Sequence, residues 1–137
     1  MKIREIMTTN VECVPPNMGI QELANKMKTL DVGFLPVCEN DRLVGAITDR
    51  DIVIRALTGR QDITTLKASD IMTKDVHFRY EEDDVKEVAE RMREKNVRRI
   101  VILNKGKRLV GVVSIGDISK IEEKETAKTL KDITEAA

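Results

Sequence analysis

The sequence predicts an α/β fold of the α+β kind, in which two βαββα repeats pack sheet to sheet around a pseudo-twofold axis. The first observation behind it is that the chain of 137 residues repeats itself at a shift of 65 residues, which becomes 66 after one insertion. The second is that each copy has an amphipathic helical segment followed by two β-rich segments. The third is size: one such unit cannot cover both faces of its small sheet, so two copies are expected to bury each other.

Matched segments carry the repeat. Ile6-Met7-Thr8 recurs as Ile71-Met72-Thr73, and Arg42-Leu43-Val44-Gly45 recurs as Arg108-Leu109-Val110-Gly111. Each copy of the second segment runs on to a hydroxyl residue and then to an aspartate three residues later. Because the register holds over so many positions, the repeat determines the architecture of the whole chain rather than of one element.

The hydrophobic spacing within each copy predicts its elements. Residues at helical spacing predict one helix from Ile20 to Leu30 and another from Val85 to Met92. Turn-rich segments separate the β-rich runs into hairpins, at 34–37 with 43–48 and at 100–103 with 108–114. A short strand near Val11 or Val76 precedes each helix, and helices at 49–57 and 117–121 follow the hairpins.

The repeat also sets the expected domain limits. We expect the first copy at residues 1–60, a linker at 61–68, the second copy at 69–122 and a charged tail at 123–137. Leu130 and Ile133 in the tail could either dock on the domain or belong to a frayed end, and the sequence leaves both alternatives open.

Composition excludes several classes of function. Lys plus Arg (24) balance Asp plus Glu (24), aromatic residues make up 2% of the chain and Trp is absent, which argues against nucleic-acid binding. No segment has the pattern of a signal peptide or approaches the roughly 20 apolar residues that cross a membrane. We therefore expect a cytoplasmic protein without membrane association.

The residues that most often bind metals do not form a recognisable motif. Cys13 and Cys38 lack a Cys-x-x-Cys spacing, so we expect free, buried structural thiols. The single histidine, His77, fits a half-exposed strand position better than a ligand or a base. The methionines are expected to fill the core, and no metal site is expected.

The paired hydroxyl and acidic residues are the candidates for chemistry. Thr48 with Asp51, and Ser114 with Asp117, stand where a strand turns into a helix. A hydroxyl and free helix amides suit a phosphate, the aspartate suits the hydroxyls of a ribose, and the preceding glycine allows a ligand to approach closely. The alternative is that both pairs are ordinary capping boxes.

The ordered set of motifs, twice over, resembles the CBS-domain family, named after cystathionine β-synthase. The resemblance spans nearly the whole chain and is carried by the Ile-Met-Thr segments, residues 32–37 and 97–102, and residues 43–52 and 109–118. It implies a disc-like pair of repeats (a Bateman module), usually dimerised, whose two clefts bind AMP, ADP, ATP or S-adenosylmethionine. It implies no catalytic cofactor.

By the same resemblance, Asp51 and Asp117 hold ribose hydroxyls, Thr48 and Ser114 lie at phosphate or sugar, and Arg50 reaches a phosphate. The residues implied to complete the clefts are Thr8, Val11 and Val32 for the site of Asp117, and Thr73, Val76 and Val97 for the site of Asp51. Arg98 and Arg99 match positions that bear basic residues toward phosphate, although ordinary surface charge opposing Glu94 is the alternative. The first copy has Gly33 and Phe34 there, so we expect two unequal sites.

These observations lead to two hypotheses for function. The first is a non-enzymatic sensor that binds an adenosine ligand between the repeats and acts on a regulated protein partner as a homodimer. The second is a ligand-free dimeric interaction or scaffold protein. No nucleotide-hydrolysing, dehydrogenase, serine-hydrolase or metalloprotease motif is present in the sequence, so we expect no enzyme.

Overall fold

The computed structural model describes residues 1–59 and 62–136, but not the side chains of 125–130 and 132–136. The chain forms two compact units. The N-terminal unit contains Asn10–His77 and Lys105–Leu109, and the C-terminal unit contains Met1–Thr9, Phe78–Asn104 and the chain from Val110 onward. The first nine residues thus join the second copy of the repeat, so the compact units do not follow the repeat boundaries. The residue limits of the repeats stay a prediction.

The N-terminal unit consists of one hairpin with helices packed on it. Helix α1 (Ile20–Leu30) leads to strands β1 (Phe34–Glu39) and β2 (Arg42–Thr48), which form a two-stranded antiparallel sheet. The short helix α2 (Asp49–Asp51) continues as a π-helical segment (Ile52–Leu57), and α3 (Ala68–Ile71) follows a 3-10 turn. The apolar faces of these elements share one core, lined by Val14, Ile20, Leu23, Met27, Leu35, Val37, Ile47, Ile52, Ala56, Leu66, Ala68 and Ile71.

The C-terminal unit repeats this plan with a third strand. Strand β3 (Phe78–Tyr80) lies parallel to β4 (Arg99–Leu103), and β5 (Leu109–Ser114) lies on the other side of β4. Helix α4 (Val85–Lys95) precedes β4, and helix α5 (Ile115–Ala136) follows β5 directly. The core of this unit is made of Ile3, Val88, Met92, Ile100, Ile102, Val113 and Ile118.

The predicted mixture of helices and two sheets is confirmed, but three boundaries were wrong. The strand expected near Val76 begins at Phe78, and the strand expected near Val11 is reduced to a single parallel bridge between Val14 and Val37. Pro15 and Pro16 follow at once and have no amide proton to extend that ladder. The helix expected at 117–121 runs from Ile115 to Ala136.

That long helix includes the predicted tail. Its backbone is helical up to Ala136, whereas Leu130 and Ile133 lie outside the described side chains. Whether these two side chains dock therefore stays a prediction. Among the helices at residues 1–59 and 62–136, none combines the length and the apolar character needed to cross a membrane.

The two long central helices end in the same way but begin differently. Asp31 after α1 and Asn96 after α4 both adopt the left-handed conformation, with φ of 54° and 52°, which terminates a helix. At the start of α4, the Asp84 side chain accepts a hydrogen bond from the Lys86 amide, whereas Gly19 offers no side chain to cap α1. The Lys86 amide, more than the nearby N-terminal ammonium group, lowers the pKa of Asp84 below its usual value.

This cap predicts a pH-dependent contribution to stability. Because the pKa of Asp84 is lowered by folding, its charged form stabilises the fold above the ordinary aspartate pKa, and this contribution is lost as pH falls through the lowered value. We expect Asp84→Ala to have a lower Tm than the parent protein at neutral pH, and we expect this difference in Tm to become smaller at acidic pH. Asp84→Asn should keep most of the cap and lose the pH dependence. Thermal melts of the three proteins across pH check this, and a difference that is constant with pH would contradict it.

Candidate functional site

The strand-to-helix turn of the N-terminal unit positions Thr48 and Asp51 by two reciprocal hydrogen bonds. The Asp51 amide donates to Thr48 Oγ1 at 3.1 Å, and the Thr48 amide donates to Asp51 Oδ2 at 2.9 Å. These two bonds form a capping box. The alternative interpretation of this pair, as a helix cap, is therefore correct for its local structure. The other carboxylate oxygen, Oδ1, lies 3.7 Å from Nε of Arg55.

The turn of the C-terminal unit has the same geometry. The Asp117 amide donates to Ser114 Oγ at 3.1 Å, and the Ser114 amide donates to Asp117 Oδ2 at 2.9 Å. The position of Arg55 is taken here by Ile121, so no cation from that position faces Oδ1 of Asp117. Both aspartates are half-buried and fixed in orientation, and each presents one oxygen that the capping box does not use.

The Ile-Met-Thr segments lie beside these turns, one in each unit. In the N-terminal unit, Thr73 and Ala46 exchange two backbone hydrogen bonds of 2.9 and 3.0 Å, two residues before Thr48. In the C-terminal unit, Thr8 and Val112 do the same at 2.9 and 3.0 Å, two residues before Ser114. Thr8 therefore lies in the same unit as Asp117, and Thr73 in the same unit as Asp51. Their predicted part in a ligand cleft stays a prediction.

The glycines of the repeat do not leave space for a ligand, contrary to the expectation from sequence. A Cβ atom on Gly45 would lie 2.5 Å from Met72 Sδ and 3.0 Å from the Thr73 carbonyl oxygen. A Cβ atom on Gly111 would meet Met7 Sδ and the Thr8 carbonyl oxygen at the same two distances. The glycines are required because the methionine of each Ile-Met-Thr segment packs directly on the strand backbone.

The two turns differ in charge. The Asp49 amide donates to the Gly33 carbonyl at 3.0 Å. The Asp49 carboxylate lies so close to Gly33 that a Cβ atom on residue 33 would be 2.9 Å from Asp49 Oδ2. In the C-terminal unit, the matching bond joins the Ile115 amide to the Arg98 carbonyl at 2.9 Å. A carboxylate beside a glycine in one unit is therefore replaced by an apolar side chain beside an arginine in the other.

The remaining predicted residues divide between the units. Val11, Val32, Arg50 and Val76 lie in the N-terminal unit, whereas Val97, Arg98 and Arg99 lie in the C-terminal unit. The predicted association of Val11 and Val32 with Asp117, and of Val97 with Asp51, stays a prediction. Arg98 and Arg99 are exposed and form no ion pair with Glu94 within the described part of the chain. Whether they contact phosphate or are ordinary surface charges stays a prediction.

The structure brings together a pair that the sequence did not reveal. Cys13 was expected to be a buried structural thiol but is exposed, and it contacts Cys38, which is buried. A hydrogen bond between the two thiols lowers the pKa of Cys13 and raises that of Cys38, and burial raises the pKa of Cys38 further. The expectation of a free, buried thiol thus agrees with Cys38 and is wrong for Cys13. The sequence does not predict the pair, because the two residues are 25 positions apart and the Val14–Val37 bridge brings their segments together.

Metal-binding side chains and a cleft of the C-terminal unit are the other features relevant to a site. No group of three or more His, Cys, Asp or Glu side chains in the described part of the chain could hold a metal ion. A cleft of about 290 Å³ in the C-terminal unit lies between α4 and α5, and neither Ser114 nor Asp117 lines it. Its walls include Met92, Val97 and Ile115.

Comparison with known proteins identifies the repeat. The model of the CBS domain matches twice, at residues 3–57 and 68–124. Hypoxic response protein 1 of Mycobacterium tuberculosis is 35% identical over 118 residues, which cover 85% of this chain and 82% of that protein. Inosine-5'-monophosphate dehydrogenase of Methanocaldococcus jannaschii is 36% identical over 120 residues, which cover 87% of this chain but 23% of the enzyme.

Solved structures agree with the fold. Hypoxic response protein I, crystallised with two coordinated zinc ions, is 34% identical and superposes with a TM-score of 0.78, covering 88% of this chain and 98% of that chain. The CBS domain pair of protein MJ0100, in complex with 5'-methylthioadenosine and S-adenosyl-L-methionine, is 26% identical with a TM-score of 0.80, covering 91% and 98%. This chain therefore belongs to the CBS-domain family and contains two CBS domains in tandem.

Proposed function

We propose that the chain is a non-enzymatic regulatory module that binds an adenosine-containing ligand through its two hydroxyl and aspartate turns. The observation that carries the proposal is that Thr48 with Asp51 and Ser114 with Asp117 form the same pair of hydrogen bonds. In each pair, one oxygen of the aspartate lies outside the capping box. The complex of the MJ0100 domain pair with two adenosine compounds supports this class of ligand.

Each turn has the hydrogen-bonding groups that an adenosine ligand needs. The carboxylate oxygen outside the capping box can accept hydrogen bonds from ribose hydroxyls, because an ionised aspartate is an acceptor only, and in Asp51 this oxygen also faces Arg55. The side-chain hydroxyl of Thr48 or Ser114 accepts a hydrogen bond from a helix amide. Its own proton is left to donate a hydrogen bond to a phosphate or sugar oxygen. The capping box fixes both side chains before the ligand binds, so ordering them on binding costs little free energy.

The charges around each turn favour different ligands in the two units. In the C-terminal unit, exposed Arg98 and Arg99 beside apolar Ile115 favour the negative charge of a phosphate chain. In the N-terminal unit, the Asp49 carboxylate beside Gly33 opposes such a charge, and the Arg55 guanidinium is paired with the Asp51 carboxylate. We therefore assign nucleoside phosphates to the C-terminal unit and uncharged or cationic adenosine compounds to the N-terminal unit.

Isothermal titration of the full chain tests this assignment. We expect ATP and AMP to bind the parent protein, with affinity lost in Ser114→Ala/Asp117→Asn but kept in Thr48→Ala/Asp51→Asn. S-adenosylmethionine should show the reverse pattern. Circular dichroism of each variant establishes that it is folded. If folded parent protein gives no heat with any of these compounds, the ligand proposal fails.

The second candidate is a ligand-free dimeric interaction protein, in which both turns serve only as caps. The reciprocal hydrogen bonds favour it, since they account for all four side chains without a ligand. The two functions differ in a thermal melt, because a ligand that binds only the folded state must raise the Tm. Under the cap-only function the paired substitutions lower the Tm, and no adenosine compound raises that of the parent protein.

A further inference from the structure

The N-terminal unit holds Cys13 and Cys38 on two neighbouring segments of chain. The Val14 amide donates to the Pro36 carbonyl at 2.9 Å, and the Cys38 amide donates to the Val14 carbonyl at 3.0 Å. Glu12 is fixed at the same time by an ion pair with Lys26 at 2.6 Å. The residues on either side of Cys13 are thus anchored, so its contact with Cys38 follows from the backbone rather than from a freely moving side chain.

The two thiols are suited to different steps of a reaction. Cys13 is exposed and can meet a reagent from solvent, whereas Cys38 has a relative exposure of 9%. The hydrogen bond with the Cys38 thiol lowers the pKa of Cys13, although partial burial and, to a smaller extent, the nearby Asp41 carboxylate oppose this. A thiolate is the reactive form of cysteine, so Cys13 is the better nucleophile of the pair.

We propose that Cys13 and Cys38 form a thiol–disulfide exchange site whose oxidant is a small-molecule disulfide such as oxidised glutathione. The Cys13 thiolate attacks one sulfur of the oxidant, forms a mixed disulfide and releases the other half as a thiolate. Cys38 then gives its proton to solvent and attacks the Cys13 sulfur, which breaks the mixed disulfide and releases the second half. Two protein thiols are oxidised while one small disulfide is reduced to two thiols.

Closing this bond joins the segment before α1 to the middle of the hairpin. The cross-link restricts the unfolded chain over the 24 residues between the two cysteines, so the oxidised protein should be the more stable form. We expect its Tm to rise by on the order of 10 °C over that of the reduced protein.

The test uses the full chain equilibrated with oxidised and reduced glutathione, then quenched in acid, alkylated and analysed by mass spectrometry. The oxidised protein should lack two hydrogen atoms relative to the reduced protein and yield a peptide in which Cys13 is linked to Cys38. Cys38→Ala should stop at a mixed disulfide on Cys13, and Cys13→Ser should leave Cys38 unreacted. Because the parent protein alone shows the linkage, a variant that fails to fold does not decide the result.

Three outcomes would overturn the proposal. Both thiols could be alkylated after oxidation, the linkage could join two copies of the chain, or alkylation of the reduced protein could be blocked until a chelator removes a bound metal. None of these readouts depends on the adenosine ligand proposed above, since the cysteines take no part in the hydroxyl and aspartate turns.

Discussion

Replacing Arg98 by glycine and Arg99 by phenylalanine is expected to weaken ATP binding to the C-terminal unit by roughly 100-fold or more. The change gives the second copy the residues of the first, Gly33 and Phe34. Each lost guanidinium contact to phosphate costs about 1.5–3 kcal/mol, and 1.4 kcal/mol is a tenfold change in affinity. Adenosine has no phosphate, so its affinity should change far less.

Titration of the variant with ATP and with adenosine measures this contrast. Lys105→Ala combined with Lys124→Ala is the matched control, because it removes the same charge from exposed positions elsewhere. If the control weakens ATP binding as much as the arginine variant, the effect is one of net charge and the two arginines do not contact phosphate.

Gly45→Ala is expected to destabilise the fold by about 1–3 kcal/mol, because it overpacks the strand. The new Cβ atom would lie 2.5 Å from Met72 Sδ and 3.0 Å from the Thr73 carbonyl oxygen. The thioether can turn away, but the carbonyl belongs to the backbone pair with Ala46 and cannot move without loss of a hydrogen bond. Gly111→Ala should cost a similar amount, since its distances are the same.

Denaturant melts of these variants provide the measurement. Gly19→Ala is the matched control, because nothing lies within 4 Å of the added Cβ atom. Shortening Met72 to alanine in the Gly45→Ala background should recover only part of the loss. If Gly45→Ala is as stable as Gly19→Ala, the close packing of the Ile-Met-Thr segment on the strand is not a requirement of the fold.

The repeat made much of the fold predictable. Apolar residues at helical spacing located α1 and α4, and the turn-rich segments located both hairpins, because the two copies are subject to the same packing constraints. The pairing of Thr48 with Asp51 and of Ser114 with Asp117 was readable for the same reason. A capping box depends on residues three positions apart and needs no tertiary information.

What the sequence could not show depends on contacts between distant segments. Self-similarity reveals that Ile6-Met7-Thr8 resembles Ile71-Met72-Thr73, but not which glycine each methionine covers. The contact of Cys13 with Cys38 is likewise set by one bridge between Val14 and Val37, which leaves no periodic signal. The requirement for glycine at position 33 likewise depends on a distant residue, since the Asp49 carboxylate lies beside it.

The central claim is that the turns of Thr48 with Asp51 and of Ser114 with Asp117 bind the ligand. The most direct measurement follows the backbone amide signals of an isotope-labelled full chain by NMR during titration with ATP. We predict the largest shifts at Ser114, Gly116 and Asp117, together with the neighbouring Thr8 and Arg98. Shifts centred instead on the cleft between α4 and α5, or no shifts at all, would contradict the claim.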